Sequence, residues 1–531
     1  MFLREIKVHN VTYLFIMENY RKNGKIKQKY IASLGRLDDG KRRKQLEQIA
    51  VKLLKHYGKN KMLLDISTAE EKERKIWGPV TVYRKIWNMF GCDEMFKKII
   101  ASRKIEFDFF STLFLMLLDR LIDPKSKLKS YEEQDRYYGI KRNELQHLYR
   151  ALDLLSDNKE KIEKELFCKN VNIFNMKVDV VLYDVTTLYF ESIKPDSLKD
   201  FGFSKDCKIN NVQILLSLLV DLEGRPVGFD IFPGNTFEGD TLGAAIEKVK
   251  QKFNIRRLIF IADQGMLSNK NINIIKGSKD CIYEYIVGSR IKNKVKKVKD
   301  EILDISQYRD IEAGEGEVFK YREINLNGER VICTWSSKRA RKDVKDRERL
   351  LIRAKEILGK GNACVISKRG ANRYIQVETK GIPVLDEKKI GDDERWDGFY
   401  GIQTNCNDLS PQALLDYYHD LWKIEEAFRI FKSHLEVRPI YHWTARRIKG
   451  HLVLCFIAFL LERTLEIELK KSNIEHSPES IRKALNDLQF SDVVIEGEHF
   501  YLRSKIEGLG NEILRALRIR IPPQISNRLV F

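Results

Sequence analysis

The chain has no Cys-x-x-Cys pair. Its eight cysteines (Cys92, Cys168, Cys207, Cys281, Cys333, Cys364, Cys406 and Cys455) are scattered, which excludes a zinc ribbon and a disulfide framework. His419, His434, His442 and His451 follow one another at 15, 8 and 9 residues, and these offsets match no zinc-ligand spacing. No export signal is expected in Met1-Phe2-Leu3-Arg4-Glu5-Ile6-Lys7, because charge interrupts the apolar run. The most apolar late stretch, Leu452 to Leu461, is too short to span a bilayer. There is no internal repeat and no low-complexity tract. These absences leave a reduced, cytoplasmic compartment and no membrane partner as the expectation.

What the sequence does have is length and positive charge. At 531 residues, 43% of them hydrophobic, it is long enough for three or four cored domains. Lys and Arg number 96 against 76 Asp and Glu, a net charge of +20 that suits a polyanion, nucleic acid before membrane. The excess is uneven: residues 1–60 hold 15 Lys/Arg and 5 Asp/Glu, about half of the net charge.

Residues 1–36 read as short strands, with a turn at Asn23-Gly24. Lys41-Arg42-Arg43-Lys44 opens a helix to about His56, and Lys41, Arg42 and Arg43 are candidate DNA contacts. A solvated basic face explains them equally well. Residues 1–65 are therefore expected to form a basic module, and 66–175 a helical connector in which Phe109 to Leu121 is buried and Asp123-Pro124 is a break.

At Val178 the character changes. Val178 to Tyr183 is a β-rich apolar run, expected to end at Asp184. Strands follow at Ile214–Val220 and Val227–Phe232, then a helix from Thr241 to Phe253, a strand Leu258–Ala262 ending at Asp263, a helix from Ser268 and a strand Tyr283–Val287. The order β-β-β-α-β-α-β is that of a ribonuclease-H-like mixed sheet, in which the first and fourth strands are neighbours. Asp184 and Asp263 would then face each other. Paired carboxylates at adjacent strand ends suit Mg²⁺, a hard cation that prefers oxygen ligands. Two such ions promote in-line phosphoryl displacement.

A third carboxylate would come from a packed helix. Tyr418 to Lys432 has helical spacing behind the start signal Ser410-Pro411, and Tyr418, Glu425, Arg429 and Lys432 would share one face. Glu425 is the candidate acid. The competing reading is a solvated face with a Glu425–Arg429 pair.

Tyr183-Asp184-Val185-Thr186-Thr187, Ala262-Asp263-Gln264-Gly265, Phe232-Pro233-Gly234-Asn235-Thr236 and the Tyr418–Lys432 stretch resemble bacterial insertion-sequence transposases. The group is the DDE family with a Tyr-Arg-Glu-Lys signature, the insertion-sequence-four class that includes the transposon-five-type enzyme. The resemblance covers roughly residues 120–465. It implies that Asp184, Asp263 and Glu425 are the catalytic, metal-binding triad, holding two Mg²⁺ ions that Mn²⁺ would replace. Glu425 rather than Glu426 takes the role because it lies seven residues from both Tyr418 and Lys432. Tyr418, Arg429 and Lys432 would contact DNA. Leu421 stands where the family has Arg, so Lys423 or Arg429 would supply that charge, or the phosphate clamp is weaker.

The resemblance further implies a β-rich insertion, residues 291–394, inside a catalytic core of 176–290 and 395–470. The insertion carries Lys292, Lys294, Lys296, Lys297 and Lys299, and a second basic run, Lys338 to Lys342. Both runs suit phosphate contacts, and a solvated helix explains the second as well. Trp396 would stack on a flipped base, as in relatives that form DNA hairpins, or sit in a core. Residues 438–451, with Trp443 beside basic residues, fit DNA contact or helix packing. Residues 471–531 would serve subunit pairing.

The expected activity is cut-and-paste transposition by a homodimer that synapses two terminal inverted repeats of double-stranded DNA and then attacks target DNA, at the bacterial nucleoid. Two alternatives stand beside it. One is a ribonuclease-H-like nuclease without strand transfer. The other is a DNA-binding protein whose nuclease site is unused.

Overall fold

The computed structural model describes the chain apart from residues 23–24, 58–65, 175–179, 203–209, 250–256, 264–268, 277–281, 312–316, 327, 360–368, 378–381 and 530–531. It folds as two compact units. The first comprises Met1–Arg74, Phe490–Ser504 and Pro522–Val530, the second Lys75–Gln489 and Lys505–Ile521.

In the first unit, β1 (Phe2–Val8), β2 (Val11–Lys22) and β3 (Lys25–Arg36) form an antiparallel meander. The expected turn Asn23-Gly24 lies outside the described residues. Helix α1 (Gly40–Tyr57) follows and carries Lys41, Arg42 and Arg43, all exposed. Strand β4 (Glu70–Ile76) corrects the expectation of a helical connector from residue 66. Six of its seven residues are charged, so it has no apolar pattern to read. It is a strand because the hairpin Gln489–Ile495 and Glu498–Arg503 completes a sheet beside it.

The second unit opens with helices α2 (Gly78–Met89), α3 (Cys92–Ile100), α4 (Phe109–Ile122), α5 (Lys127–Glu132), α6 (Leu145–Asp157) and α7 (Lys159–Phe174). α4 is capped by Asp108, whose carboxylate accepts from the Ser111 N–H at 3.0 Å, and it stops before Pro124, as expected. It is mostly apolar because it is buried along most of its length, with Asp119 and Arg120 buried near its end.

Strands β5 (Val180–Tyr189), β6 (Gln213–Val220) and β7 (Pro226–Pro233), helix α8 (Glu238–Lys248), strand β8 (Arg257–Ala262), helix α9 (Asn269–Lys276) and strand β9 (Ile282–Gly288) follow. They assemble in the order β7-β6-β5-β8-β9, with β5, β8 and β9 mutually parallel. This is the mixed sheet the sequence led us to expect. One detail differs. β5 does not end at Asp184 but runs on to Tyr189, because Val185-Thr186-Thr187-Leu188 continues the β-type pattern and pairs with β6. On its other edge the pairing with β8 reaches Leu182 opposite Ile261. Two residues further, Asp184 is level with Asp263, where β8 has stopped.

Val181, Tyr183 and Val185 pack with Leu258, Phe260 and Ala245 in the core beneath α8 and α9. Strand alternation therefore turns Asp184 to the opposite face.

The insertion contains α10 (Lys296–Leu303), β10 (Arg309–Ile311), β11 (Phe319–Leu326), β12 (Glu329–Ser336), α11 (Ser337–Gly359), β13 (Ile375–Val377), β14 (Pro383–Leu385) and α12 (Glu387–Glu394), and leads into β15 (Phe399–Thr404). β15 pairs antiparallel with β9, and β12, β11 and β10 follow, giving a continuous nine-stranded sheet. The expectation of a β-rich segment is met in part: the 23-residue α11 is its longest element.

Helices α13 (Pro411–His419) and α14 (Trp422–Arg429) cover the face opposite that core, α13 near β8 and β9 and α14 on β5 and β6. α15 (Ala445–Lys470) is buried for most of its length and packs against α2, α4 and α6. Among the described residues no helix is long and apolar enough to cross a membrane.

Candidate active site

The single helix expected through Tyr418–Lys432 is in fact two helices and a π-helical turn. Ser410 caps α13 as expected, its hydroxyl accepting from the Ala413 N–H at 3.2 Å. At Asp420-Leu421 the ladder tightens to i→i−3 bonds: Leu421 N–H to the Tyr418 oxygen and Ile424 N–H to the Leu421 oxygen, each 3.2 Å. α14 then restarts in a new phase and passes into the π-helical Ile430–His434. The four residues expected on one stripe do not line one cavity.

Two of the four meet the strand acids. Asp184, Asp263, Tyr418 and Glu425 line one cavity of about 810 Å³. β5 supplies the first, the end of β8 the second, α13 the third and α14 the fourth. Asp263 and Glu425 are exposed to the cavity, and the Asp184 carboxylate accepts from the Val185 N–H at 2.7 Å. The lining also includes Asp416, a fourth carboxylate that the sequence reading missed. It lies two residues before Tyr418 on α13, a spacing that does not put the two on one helix stripe.

Glu425 and its neighbour Glu426 face different surroundings. Glu426 turns away, its carboxylate 3.5 Å from both Arg429 and Arg463. The expected i,i+4 pair of Glu425 with Arg429 is thus replaced by an i,i+3 pair with Glu426. Arg429, Lys423 and Trp422 line a second cavity of about 850 Å³, away from the strand acids. Lys423 is held by Asp420 at 2.9 Å and by the Leu222 carbonyl at 2.6 Å. Neither cation therefore fills the place left by Leu421, which itself lines the acid cavity. Lys432 falls in the π-helical turn and does not line that cavity.

Tyr418 is built in. Its hydroxyl lies 2.5 Å from that of Tyr400 on β15, with the rings 5.8 Å apart. Burial, then the adjacent Tyr400, push the Tyr418 phenol well above its ordinary pKa; Asp263 adds to the rise and Arg339 opposes it. Tyr418 therefore stays a neutral hydrogen-bonding group throughout the physiological range.

The donor set fits a hard divalent cation, since every candidate ligand is a carboxylate oxygen. The three acids line the cavity without converging on a point. Among the described residues the group that does converge, with ligand atoms within 4.8 Å, is Glu284, Cys406 and Asp408.

Against known families, residues 177–461 match the model described as a transposase DDE domain, and residues 3–65 match the N-terminal domain of the IS1634 family transposases. The chain belongs to the DDE transposases. Its N-terminal match is to an insertion-sequence transposase family. No curated protein matches it in sequence. Among solved structures it is similar to a Mos1 transposase paired-end complex with left transposon end, at 11% identity and a TM-score of 0.15; the match covers 34% of this chain and 60% of that one.

Two further expectations meet a different environment in the transposase. Trp396 is 9% exposed and packs with Ile291, Tyr308 and Phe399 in the core of the insertion, with Lys292 Nζ 6.0 Å from its ring. Base stacking would require that core to open, so the core reading replaces the DNA one. Trp443 is 76% exposed, which excludes helix packing as its role. In the N-terminal unit Arg42 donates to the Leu34 carbonyl at 3.3 Å and Arg43 pairs with Glu47 at 3.2 Å. Both remain on the exposed face of α1.

Proposed function

We propose that the chain is a cut-and-paste transposase of the Tyr-Arg-Glu-Lys class that binds the terminal inverted repeats of its own element. The observation that carries this reading is the gathering of Asp184, Asp263 and Glu425, from three separated parts of the chain, around one cavity. Tyr418 in the same cavity supports the class assignment, and Leu421 is its departure. Two Mg²⁺ ions bound among the carboxylates, or Mn²⁺ in their place, would activate the attacking oxygen and stabilise the leaving oxygen.

The protein's own part is placement. Asp184 and Asp263 hang from adjacent strands of a buried sheet, so their separation is fixed by the sheet. Glu425 is fixed by α14, whose neighbour Glu426 is tied to Arg463 on α15. Tyr418, neutral and held by Tyr400, would hydrogen-bond a DNA phosphate oxygen. Lys41, Arg42 and Arg43 on α1 would contact the terminal repeat, and Lys432 the adjoining backbone. Synapsis of two ends calls for a homodimer, with residues 471–531 as the pairing region, working at the nucleoid.

The test is cleavage of a labelled duplex carrying the element's terminal repeat, with Mg²⁺ or with EDTA. Asp184→Asn, Asp263→Asn and Glu425→Gln should each abolish 3′-end nicking while DNA binding persists. Joined products would separate a transposase from a nuclease that only cuts. Normal cutting by all three variants would overturn the assignment.

A further inference from the structure

Asp184, Asp263, Asp416 and Glu425 line the acid cavity. Part of its wall comes from the insertion, Thr334 and Ser336 from β12 and Arg339 from the first turn of α11, and is continued by Tyr400 from β15. Thr334 pairs with Tyr400 across the two strands, so this wall is one face of the extended sheet. Among the described residues lining the cavity, Arg339 is the only lysine or arginine.

Its position is built rather than incidental. α11 starts directly after β12, and the Ser337 N–H donates to the Val318 carbonyl at 2.9 Å. One turn on, the Asp343 carboxylate accepts from the Gly398 N–H at 3.0 Å and lies 3.7 Å from Arg339 Nε. The Arg339 guanidinium stacks on Tyr400, its carbon 4.5 Å from the ring centroid. Stacking and the Nε contact leave the two terminal nitrogens without a hydrogen bond among the described residues. A guanidinium held by one edge and one face keeps its fork for a planar or tetrahedral oxyanion.

The charge count agrees. Four carboxylates would be offset by two divalent ions, and Arg339, which shares only its Nε edge with Asp343 at 3.7 Å, is the cation among the described cavity-lining residues whose fork faces an incoming polyanion.

We propose that Arg339 receives a phosphate of the DNA strand lying across the acid cavity, with the Thr334 and Ser336 hydroxyls beside it. This rests on the transposase reading. The insertion thereby supplies the cation that the catalytic helix lacks at Leu421.

The experiment uses the full chain and a labelled duplex taken from the DNA bordering its coding region, terminal repeat included. Binding is read by fluorescence anisotropy in EDTA and nicking in Mg²⁺, for wild type, Arg339→Ala, Arg339→Lys and Asp184→Asn. A series of duplexes carries a single uncharged methylphosphonate at successive linkages. Wild type should lose about tenfold to a hundredfold in nicking at one linkage, the worth of one charge-assisted hydrogen bond. Arg339→Ala should show that loss on the unmodified duplex and no further loss at that linkage. Arg339→Lys, which keeps the charge but not the fork, should fall between.

If Arg339→Ala nicks and binds like wild type, or loses the same further factor at every linkage, the proposal is wrong. Should Arg339→Ala melt early, the linkage pattern of Arg339→Lys decides in its place. Asp184→Asn separates the two readings. If it cuts normally, the transposase reading fails; if it is dead while Arg339→Ala is unaffected, only the role of Arg339 fails.

Discussion

Replacing Glu462 by Gln should stabilise the catalytic unit above neutral pH and do little below pH 5. Glu462 lies within α15, is fully buried, and accepts a hydrogen bond from the Tyr83 hydroxyl at 2.5 Å. Burial first, then the nearby Glu466, raise its carboxyl from 4.5 to about 7, against the opposing pull of Tyr83 and Arg482. A folded-state pKa above the unfolded one means that the folded chain binds the extra proton between those values. Stability is then highest below about pH 4.5, falls as pH rises toward 7, and stays level beyond. At ~1.4 kcal/mol per pH unit of displacement, the ionised carboxylate costs ~3 kcal/mol at pH 8. Gln keeps an acceptor for Tyr83 and carries no charge. The unit holds roughly 430 residues, so that energy corresponds to about 3 °C in apparent Tm. Thermal melts followed by circular dichroism at pH 5 and pH 8 measure it. An equal Tm difference at the two pH values would refute the reasoning and place the compensating charge at Arg482.

Two other outcomes follow from the geometry. Glu426→Gln should cut like wild type, in contrast to Glu425→Gln, and lower stability by less than ~1 kcal/mol, because its arginine partners hold it at a partly exposed site; loss of nicking in Glu426→Gln would move the third acid by one residue. Gly450→Ala should destabilise by about 1–3 kcal/mol in a urea melt despite the better helix propensity of Ala, because a Cβ there would press into the backbone carbonyl of Leu152 where α6 crosses α15; unchanged stability would mean that the two helices separate at little cost.

Much of the catalytic sheet was legible because each strand is a local apolar run bounded by turn residues. Asp184 and Asp263 stood out because each follows such a run, and the strand order made them neighbours. The break at Asp420-Leu421 was not legible, since no Gly or Pro marks it and the apolar spacing continues through it. Trp396 was open between base and core because most of its surroundings come from α10, β11 and β12, far away in sequence. The same distance concealed Arg339. A basic run on a helix says nothing of which member points inward until the strands before and after it are paired.

The way the insertion joins the sheet also sets an order in time. Synthesis runs from the N-terminus, so Asp184 and Asp263 leave the ribosome well before Glu425. Between them lies the segment that adds β10, β11, β12 and β15 to the free edge of β9. A nascent or truncated chain therefore holds two of the three carboxylates and lacks both Tyr418 and the helix that carries the last acid. On the proposed triad, the three acids can meet only after Glu425 and the helix that carries it have been made, so every shorter chain is without that cavity's full lining.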